Sequence, residues 1–506
     1  METVLFEADD LVESDEINSS MKMQFSRGNE SYRHAISPSV GLRPRCTNGV
    51  DMQSRRRFWT YLDGIHPALF DAFAKEGTLL LLFTVRGDMC TWCKPTARVT
   101  SATWACSFRG HPAVPGALVV NRAGSVNTVI VECPIPATIP PPIGASLSES
   151  VTDGETVSVS YTEAGMDPHH YRDVPFCRYP GPDAWRSGLA AASAAAAPGG
   201  EAEAGRGAAA QAAQAGAVGP PQGGVAPPVP LAACTMVKSG LRRYGRPNAE
   251  LLAEWLAYHR LQGVDHFLVF AHEDAAPLRR RLAPLIDEGL LVVVDWESPP
   301  HPRPGAHRGA DFVPFQFLQT TSCLHRYRGL AGWVGLLDID EFAQPLAPGA
   351  TVRSAVLAAA DTADAAAAAA GGGGAPVAAL RMAGVYFFSR DGRPRGGSGL
   401  ATQRHLARDA RWRFPVGKCF ARPGRVRLYQ QHGPAAGGGG GAVVDLDPER
   451  VLRFNHYRNI RLSSGPVPDD SMTRYRAGIE AQLAVLGARL RAANGTRPEP
   501  GAAPPR

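Results

Sequence analysis

The chain has 506 residues, 44% hydrophobic and 20% charged, with 54 glycines and 43 prolines. That length supports two or three domains with a sizeable core, and the Gly and Pro content points to long irregular inserts. A net charge of +6 is spread along the whole chain; with no Lys/Arg block interleaved with aromatics, it gives no case for nucleic acid as a partner.

Residues 1–54 are acidic, then Ser/Arg/Pro-rich, and read as disordered. Residues 1–30 hold no apolar stretch of the kind a secretory signal needs. The longest apolar strand-like run, Leu79 to Val85, is too short to span a bilayer. Either the protein is soluble or the chain starts downstream of a membrane anchor. Of the nine cysteines, six precede residue 180. They read as disulfides of a secretory compartment or as buried thiols. Cys90-x-x-Cys93 has no second pair with which to complete a zinc site.

Residues 55–187 read as a β-rich accessory module, with the sandwich form that many carbohydrate-binding modules share. TLLLLFTVRG, RVTSATWACSF and SVNTVIVECPIP are β-branched or apolar runs bounded by Gly and Pro, and ETVSVSYTE alternates with period two. Residues 188–230 are Ala/Gly/Pro/Gln low complexity and read as a linker. Two further tracts, 355–376 and 433–442, read as inserts without chemistry, and 481–506 as a tail.

From 231 to 480 the pattern is α/β. CTMVK reads as a strand, Asn248 to Gly263 as an amphipathic helix with Asn248 as N-cap, and VDHFLVFAHED as a strand. A helix bent at Pro284 and the strand LLVVVDW follow, then a helix from Phe312 to Arg328. Strand, helix, strand, helix, strand is a half-Rossmann arrangement on a parallel sheet. No G-x-G-x-x-G follows the first strand and no P-loop motif is present, which disfavours dehydrogenases and P-loop NTPases.

The stretch GWVGLLDIDEFAQPL, 332–346, is a short apolar run ending in Asp338, Asp340 and Glu341. Acids at the carboxyl end of a buried strand sit where open α/β sheets bind ligands. On an extended backbone Asp338 and Asp340 would share one face. Two such carboxylates call for a cation between them, a hard divalent ion that can bridge to phosphates. The other reading is a strand ending in a solvated acidic turn.

Several motifs together resemble glycosyltransferase family 92. They are Glu254, Trp255, Tyr258 and His259 in one helix; Gly263, Val264, His266 and Phe267; Cys323 and Arg326; and Asp338 to Phe342. Lys418 to Pro423, His432 and the trio His456-Tyr457-Arg458 follow in order. The resemblance implies an α/β GT-A-type nucleotide-sugar-binding sheet and an inverting transfer of a hexose, galactose by preference, from a UDP-sugar to a glycan acceptor. It implies a divalent metal, Mn²⁺, held by Asp338 and Asp340 with His432 or His456 as a further ligand, and Glu341 as a supporting acid or a capping residue. Lys418 and Arg458 are the expected phosphate contacts, and Lys238, Glu273 and Asp274 could touch the nucleoside. Glu254, Trp255 and His259 are expected to pack and cap their helix. The general base falls to Asp391 or Asp409 by guess alone. A Golgi or other secretory-pathway membrane is the implied location. The alternative is a non-catalytic carbohydrate-binding protein with a decayed transferase domain, a reading favoured by the loose fit of 385–404 to the family.

Overall fold

The computed structural model describes residues 68–75, 77–84, 101–120, 128–139, 156–165, 167–178, 229–237, 242–243, 246–271, 275–296, 312–370, 375–388, 399–410, 414–430, 432–435, 440–457 and 466–495. The disordered reading of 1–54, most of the linker (188–228), Cys90 and Cys93 lie outside the described residues.

Eight strands come first: β1 (Ala68–Lys75), β2 (Thr78–Thr84), β3 (Thr103–Phe108), β4 (Val114–Val120), β5 (Thr128–Pro134), β6 (Thr156–Thr162), β7 (His169–Pro175) and β8 (Cys177–Arg178). They form one sheet in the order β7-β6-β3-β4-β5-β2-β1-β8. Strand β4 is its corner: Val114–Gly116 pair with β3, and Ala117–Val120 pair with β5. The sheet turns back on itself there. Phe83 of β2 therefore meets Trp104 of β3 (ring centroids 4.9 Å apart) and Tyr171 of β7 (5.3 Å). A Cys106–Cys133 disulfide crosses the same core.

The second part begins with β9 (Val229–Val237), the small hairpin β10 (Arg242–Arg243) and β11 (Arg246–Pro247), then α1 (Asn248–Leu261) and β12 (His266–Ala271). It continues with α2 (Ala276–Asp287), β13 (Leu291–Asp295), α3 (Phe312–Tyr327), β14 (Ala331–Leu336) and β15 (Glu341–Pro345). Then come α4 (Val352–Ala369), β16 (Val377–Phe388), α5 (Ala401–Arg404), β17 (Ala407–Asp409) and β18 (Phe414–Ala421). The chain closes with β19 (Tyr429–Gln430), β20 (Gly433–Pro434), β21 (Ala442–Asp445), β22 (Leu452–Tyr457), β23 (Pro466–Pro468) and α6 (Arg476–Gly495).

Strands β13-β12-β9-β14 are parallel neighbours in that order. In chain order this is 3-2-1-4, so the connections part between β9 and β14, the switch point at which open sheets place ligands. Past β14 the sheet turns mixed, through antiparallel β18 and β16, with β22 parallel to β16 and antiparallel to β15. Strand β9 shows why its run is apolar throughout. Leu231, Ala233 and Val237 face the core under α1, whereas Ala232, Cys234 and Met236 face the core under α3. A strand covered on both faces has no polar side to display. Cys234 is disulfide-bonded to Cys323 of α3.

Three expectations are corrected. Helix α1 is not amphipathic: Leu251 to His259 are all buried, because the sheet covers one side and α6 the other. The tract 355–376 is not a bare insert. Residues 352–369 form α4, started by a reciprocal capping box between Thr351 and Ser354, with Val352, Ala355, Val356 and Ala360 buried. Alanine is the best helix former, and with a cap and one buried stripe an Ala-rich run becomes a packed helix. The tail boundary at 481 cuts through α6, whose Ile479 and Leu486 belong to the main core.

Helix α3 joins the two parts. Phe73, Leu80, Leu82 and Ile130 of the first sheet share a core with Leu318, Leu324 and Tyr327. Within that seam the Arg326 Nη2 donates to both Asp71 oxygens (3.0 and 2.8 Å), Ser322 Oγ donates to Asp71 Oδ2 (2.7 Å), and Arg326 Nε donates to Ser322 Oγ (3.0 Å). Both parts lie in one compact unit, Pro44–Arg506. Among the described residues no helix is long and apolar enough to cross a membrane.

Candidate active site

Strand β14 delivers the chain to the carboxyl edge of the parallel strands, and a tight turn follows. Glu341 N–H donates to the Asp338 carbonyl (2.9 Å), and Asp338 N–H donates to Glu341 Oε2 (2.8 Å). The turn is closed by main chain and side chain together. This corrects the extended geometry expected of 338–340, since a backbone folded into a turn has no shared strand face. Asp338 takes Gln316 Nε2 of α3 on Oδ1 (2.6 Å) and Lys418 Nζ of β18 on Oδ2 (3.1 Å). Asp340, fully buried, lies 3.2 Å from His456 Nε2 of β22. The register of β15 with β22 sets that meeting, for Glu341 stands opposite His456 and Tyr457 N–H donates to the Asp340 carbonyl (2.9 Å).

Glu341 lies beneath the turn. Its Oε2 is 3.2 Å from Lys418 Nζ and its Oε1 is 3.6 Å from His456 Nδ1. Burial raises its pKa, and the Lys418 charge works against that rise. Burial works to lower the Lys418 pKa, but Asp338 and Glu341 outweigh it and hold the ammonium charged above its usual range. Burial, with the Lys418 charge beside it, lowers His432 to about 4, so that ring is neutral at physiological pH. His432 also feels Asp338 and His456. Lys418 is aimed by Gly417, which adopts φ +29°; a Cβ there would stand 1.8 Å from the Met382 carbonyl oxygen. Only glycine fits that position.

The helix motif in α1 serves the backbone of this turn. Trp255 Nε1 donates to the Glu341 carbonyl (2.9 Å) and the Tyr258 hydroxyl to the Ala343 carbonyl (2.7 Å). His259 Nδ1 is 2.9 Å from the Trp255 carbonyl, which fixes the proton there and leaves Nε2 to accept from Ala343 N–H (3.4 Å). Burial lowers His259 to about 3, in keeping with a neutral ring. Glu254 does not cap its own helix. It accepts from Ala401 N–H, Thr402 N–H and Thr402 Oγ1 (2.8, 3.0 and 2.9 Å), and so caps α5.

Six of the expected site residues are therefore gathered at one edge: Asp338, Asp340, Glu341, Lys418, His432 and His456. Lys238, Glu273, Asp274 and Arg458 lie outside the described residues, as does Asp391. Asp409 is fully buried on β17, next to β23. Gln316 was not foreseen. A neutral amide inside a helix carries no signal, and only its place one turn into the helix before the acidic strand could have pointed to it. Among the described residues, no three His, Cys, Asp or Glu side chains converge as a ready-made metal seat. The donors are of the right kind for a hard divalent ion, carboxylate oxygens with imidazole nitrogens at hand. In this arrangement an ammonium holds the Asp338 oxygen instead.

Acids, a buried lysine and imidazoles thus gather at the carboxyl edge of the parallel strands, beside the switch point at which open α/β sheets place ligands. Residues 243–479 of the chain, a little under half of it, match the model of Glycosyltransferase family 92. The chain is 32% identical over 109 residues to galactan beta-1,4-galactosyltransferase GALS2 of Arabidopsis thaliana, covering 20% of this chain and 19% of that one. It is also 32% identical over 106 residues to GALS1 of the same plant, covering 20% of each. The chain thus spans about a fifth of the length of these relatives. Among solved structures, TarS 1-349 of S. aureus aligns over 45% of this chain and 60% of its own at 11% identity, with a TM-score of 0.23, too low to carry a fold argument.

Proposed function

We propose that the chain is a metal-dependent glycosyltransferase of GT-A type, moving a hexose from a UDP-sugar to a glycan acceptor with inversion. Galactose as the sugar and a galactan-like acceptor rest on the names of the relatives. The observation that carries the reading is the cluster of Asp338, Asp340, Glu341, Lys418 and His456 at the carboxyl end of β14, inside a family 92 domain.

Transfer from a nucleotide sugar leaves a diphosphate, and the developing negative charge must be neutralised. Asp338 and Asp340 would hold a divalent ion, Mn²⁺ by preference, with His456 or His432 as a nitrogen donor; when bound, it supplies Lewis-acid stabilisation of the leaving group. Lys418 contributes a buried positive charge beside the turn, available to phosphate oxygens. Glu341 keeps the turn closed by accepting the Asp338 N–H. Gln316 orients the Asp338 carboxylate through its other oxygen. Helix α1 holds β15, and with it the register that brings Asp340 to His456. A Golgi or other secretory compartment is in keeping with two disulfides, Cys106–Cys133 and Cys234–Cys323.

The test is transfer from labelled UDP-galactose to galactan oligosaccharides in Mn²⁺, with Asp340→Asn beside the wild type. Loss of transfer in the variant and on chelation is expected. Undiminished transfer by Asp340→Asn would remove the metal role. The competing reading, a decayed transferase that only binds glycan, predicts no Mn²⁺-dependent UDP affinity by calorimetry.

A further inference from the structure

Resting on the metal and diphosphate reading above, we propose that Lys418 is the resident counter-ion of the acidic turn, and that metal and donor diphosphate enter together by displacing it. Both Asp338 oxygens are engaged: Oδ1 accepts from the Gln316 amide at 2.6 Å, and Oδ2 accepts from Lys418 Nζ at 3.1 Å. The same ammonium is 3.2 Å from Glu341 Oε2. The Lys418 and Glu341 side chains are only 4% and 2% exposed, so the pair is little screened by solvent. Asp338, at 26%, is the member that meets solvent.

A divalent ion arriving alone meets two obstacles. It must take an oxygen that already has a hydrogen-bond donor, and it must come to rest within a few ångströms of a fixed positive charge. The second obstacle is large in a poorly hydrated site. A diphosphate arriving alone brings negative charge up to the Asp338 carboxylate, and any hold it takes on Lys418 weakens the bond that Asp338 now has. Together the two ligands solve each other's problem. The diphosphate gives Lys418 a new acceptor, Lys418 releases Asp338 Oδ2, and the freed carboxylate turns to the ion. Charge is conserved in the exchange, and no proton moves.

The local backbone suits a side-chain switch. Gly417 is wedged against the Met382 carbonyl in a conformation that only glycine adopts easily, so the main chain beside Lys418 is fixed. Motion is left to the four flexible carbons of the lysine stem. Coupling of this kind is reciprocal: the factor by which UDP tightens Mn²⁺ is the factor by which Mn²⁺ tightens UDP.

The test follows Mn²⁺ binding directly, by loss of the free-ion electron paramagnetic resonance signal, on the full chain with and without UDP. In the wild type, UDP is expected to tighten Mn²⁺ by a factor of roughly 5–150, the usual span of such coupling. Lys418→Met is expected to bind Mn²⁺ about tenfold tighter than the wild type in the absence of UDP, and to gain less from UDP. Lys418→Arg, which keeps the charge, should retain the weak UDP-free affinity. Circular dichroism checks that both variants fold. Wild-type Mn²⁺ affinity that UDP does not move would overturn the proposal without recourse to any variant, as would Lys418→Met binding Mn²⁺ no tighter than wild type. No Mn²⁺ binding by any of the three proteins, with or without UDP, would remove the metal reading itself and this inference with it.

Discussion

Asp71→Ala tests what joins the N-terminal sheet to the α/β part. Asp71 is fully buried, and Arg326 is 2% exposed. The substitution deletes two guanidinium bonds at 3.0 and 2.8 Å and the Ser322 bond at 2.7 Å. What remains is a buried arginine that has lost its carboxylate and keeps its Nε bond to Ser322 Oγ (3.0 Å) and the face of Phe73, 4.9 Å from the ring centre. Removing one member of a buried ion pair costs about 3–5 kcal/mol, most of it the penalty on the abandoned charge. For a domain of 150–250 residues each kcal/mol shifts Tm by roughly 2–4 °C, so a fall of about 6–20 °C is expected. Asp71→Leu combined with Arg326→Met removes both charges and keeps the volume, and should recover most of the loss. Differential scanning calorimetry of the single and double variants reads both numbers. A single variant within about 1 kcal/mol of wild type would refute the claim that the seam is dry and that the pair is isolated from solvent.

Two further outcomes bear on the support of the turn. Tyr258→Phe removes only the hydroxyl that donates to the Ala343 carbonyl at 2.7 Å and leaves the ring packed on Phe342 and Tyr475. It should cost about 1–3 kcal/mol in thermal unfolding, because a buried carbonyl loses its donor. Stability should also fall in acid. The value of about 3 for His259 lies below its ordinary 6.5, so its contribution is complete above pH 6.5 and is lost as pH falls from there toward 3. At pH 5 His259 alone removes about 2 kcal/mol, and His266, lowered to about 4 by burial, acts in the same direction. Tm measured across this range should decline, and His259→Gln should flatten the decline.

Much of the α/β part was legible because its signals are local. The apolar runs at 229–237, 266–271, 291–295 and 331–336 are strands, and Gly263, at φ +82°, ends α1 as expected. What stayed hidden depends on distant partners. Nothing near Glu254 shows that it caps a helix about 150 residues onward. The polar look of Trp255-x-x-Tyr258-His259 suggests a half-exposed helix, yet those groups are spent on β15. Helix α4 was hidden by its own composition, since alanine runs read as filler until a cap and a packed face are seen. Asp71 did leave a trace, a lone acid in a strand, ALFDAFAK, that is otherwise apolar up to its terminal Lys75, and such an acid asks for a buried partner. In the site, the acids and Lys418 were readable as a pattern, but not their turn, because one residue of curvature between Asp338 and Asp340 leaves no mark in composition.

The seam between β1 and α3 also sets a timetable. Asp71 and Arg326 are 255 positions apart. At roughly 5–20 residues per second of synthesis, β1 leaves the ribosome on the order of ten to fifty seconds before its partner helix. During that interval Phe73, Leu80, Leu82 and Ile130 have no α3 to cover them, and an acid destined for burial waits beside them. The nascent chain thus presents a sticky, half-finished surface for a defined period. A chaperone of the compartment in which it is made would meet that surface before any sugar could be transferred.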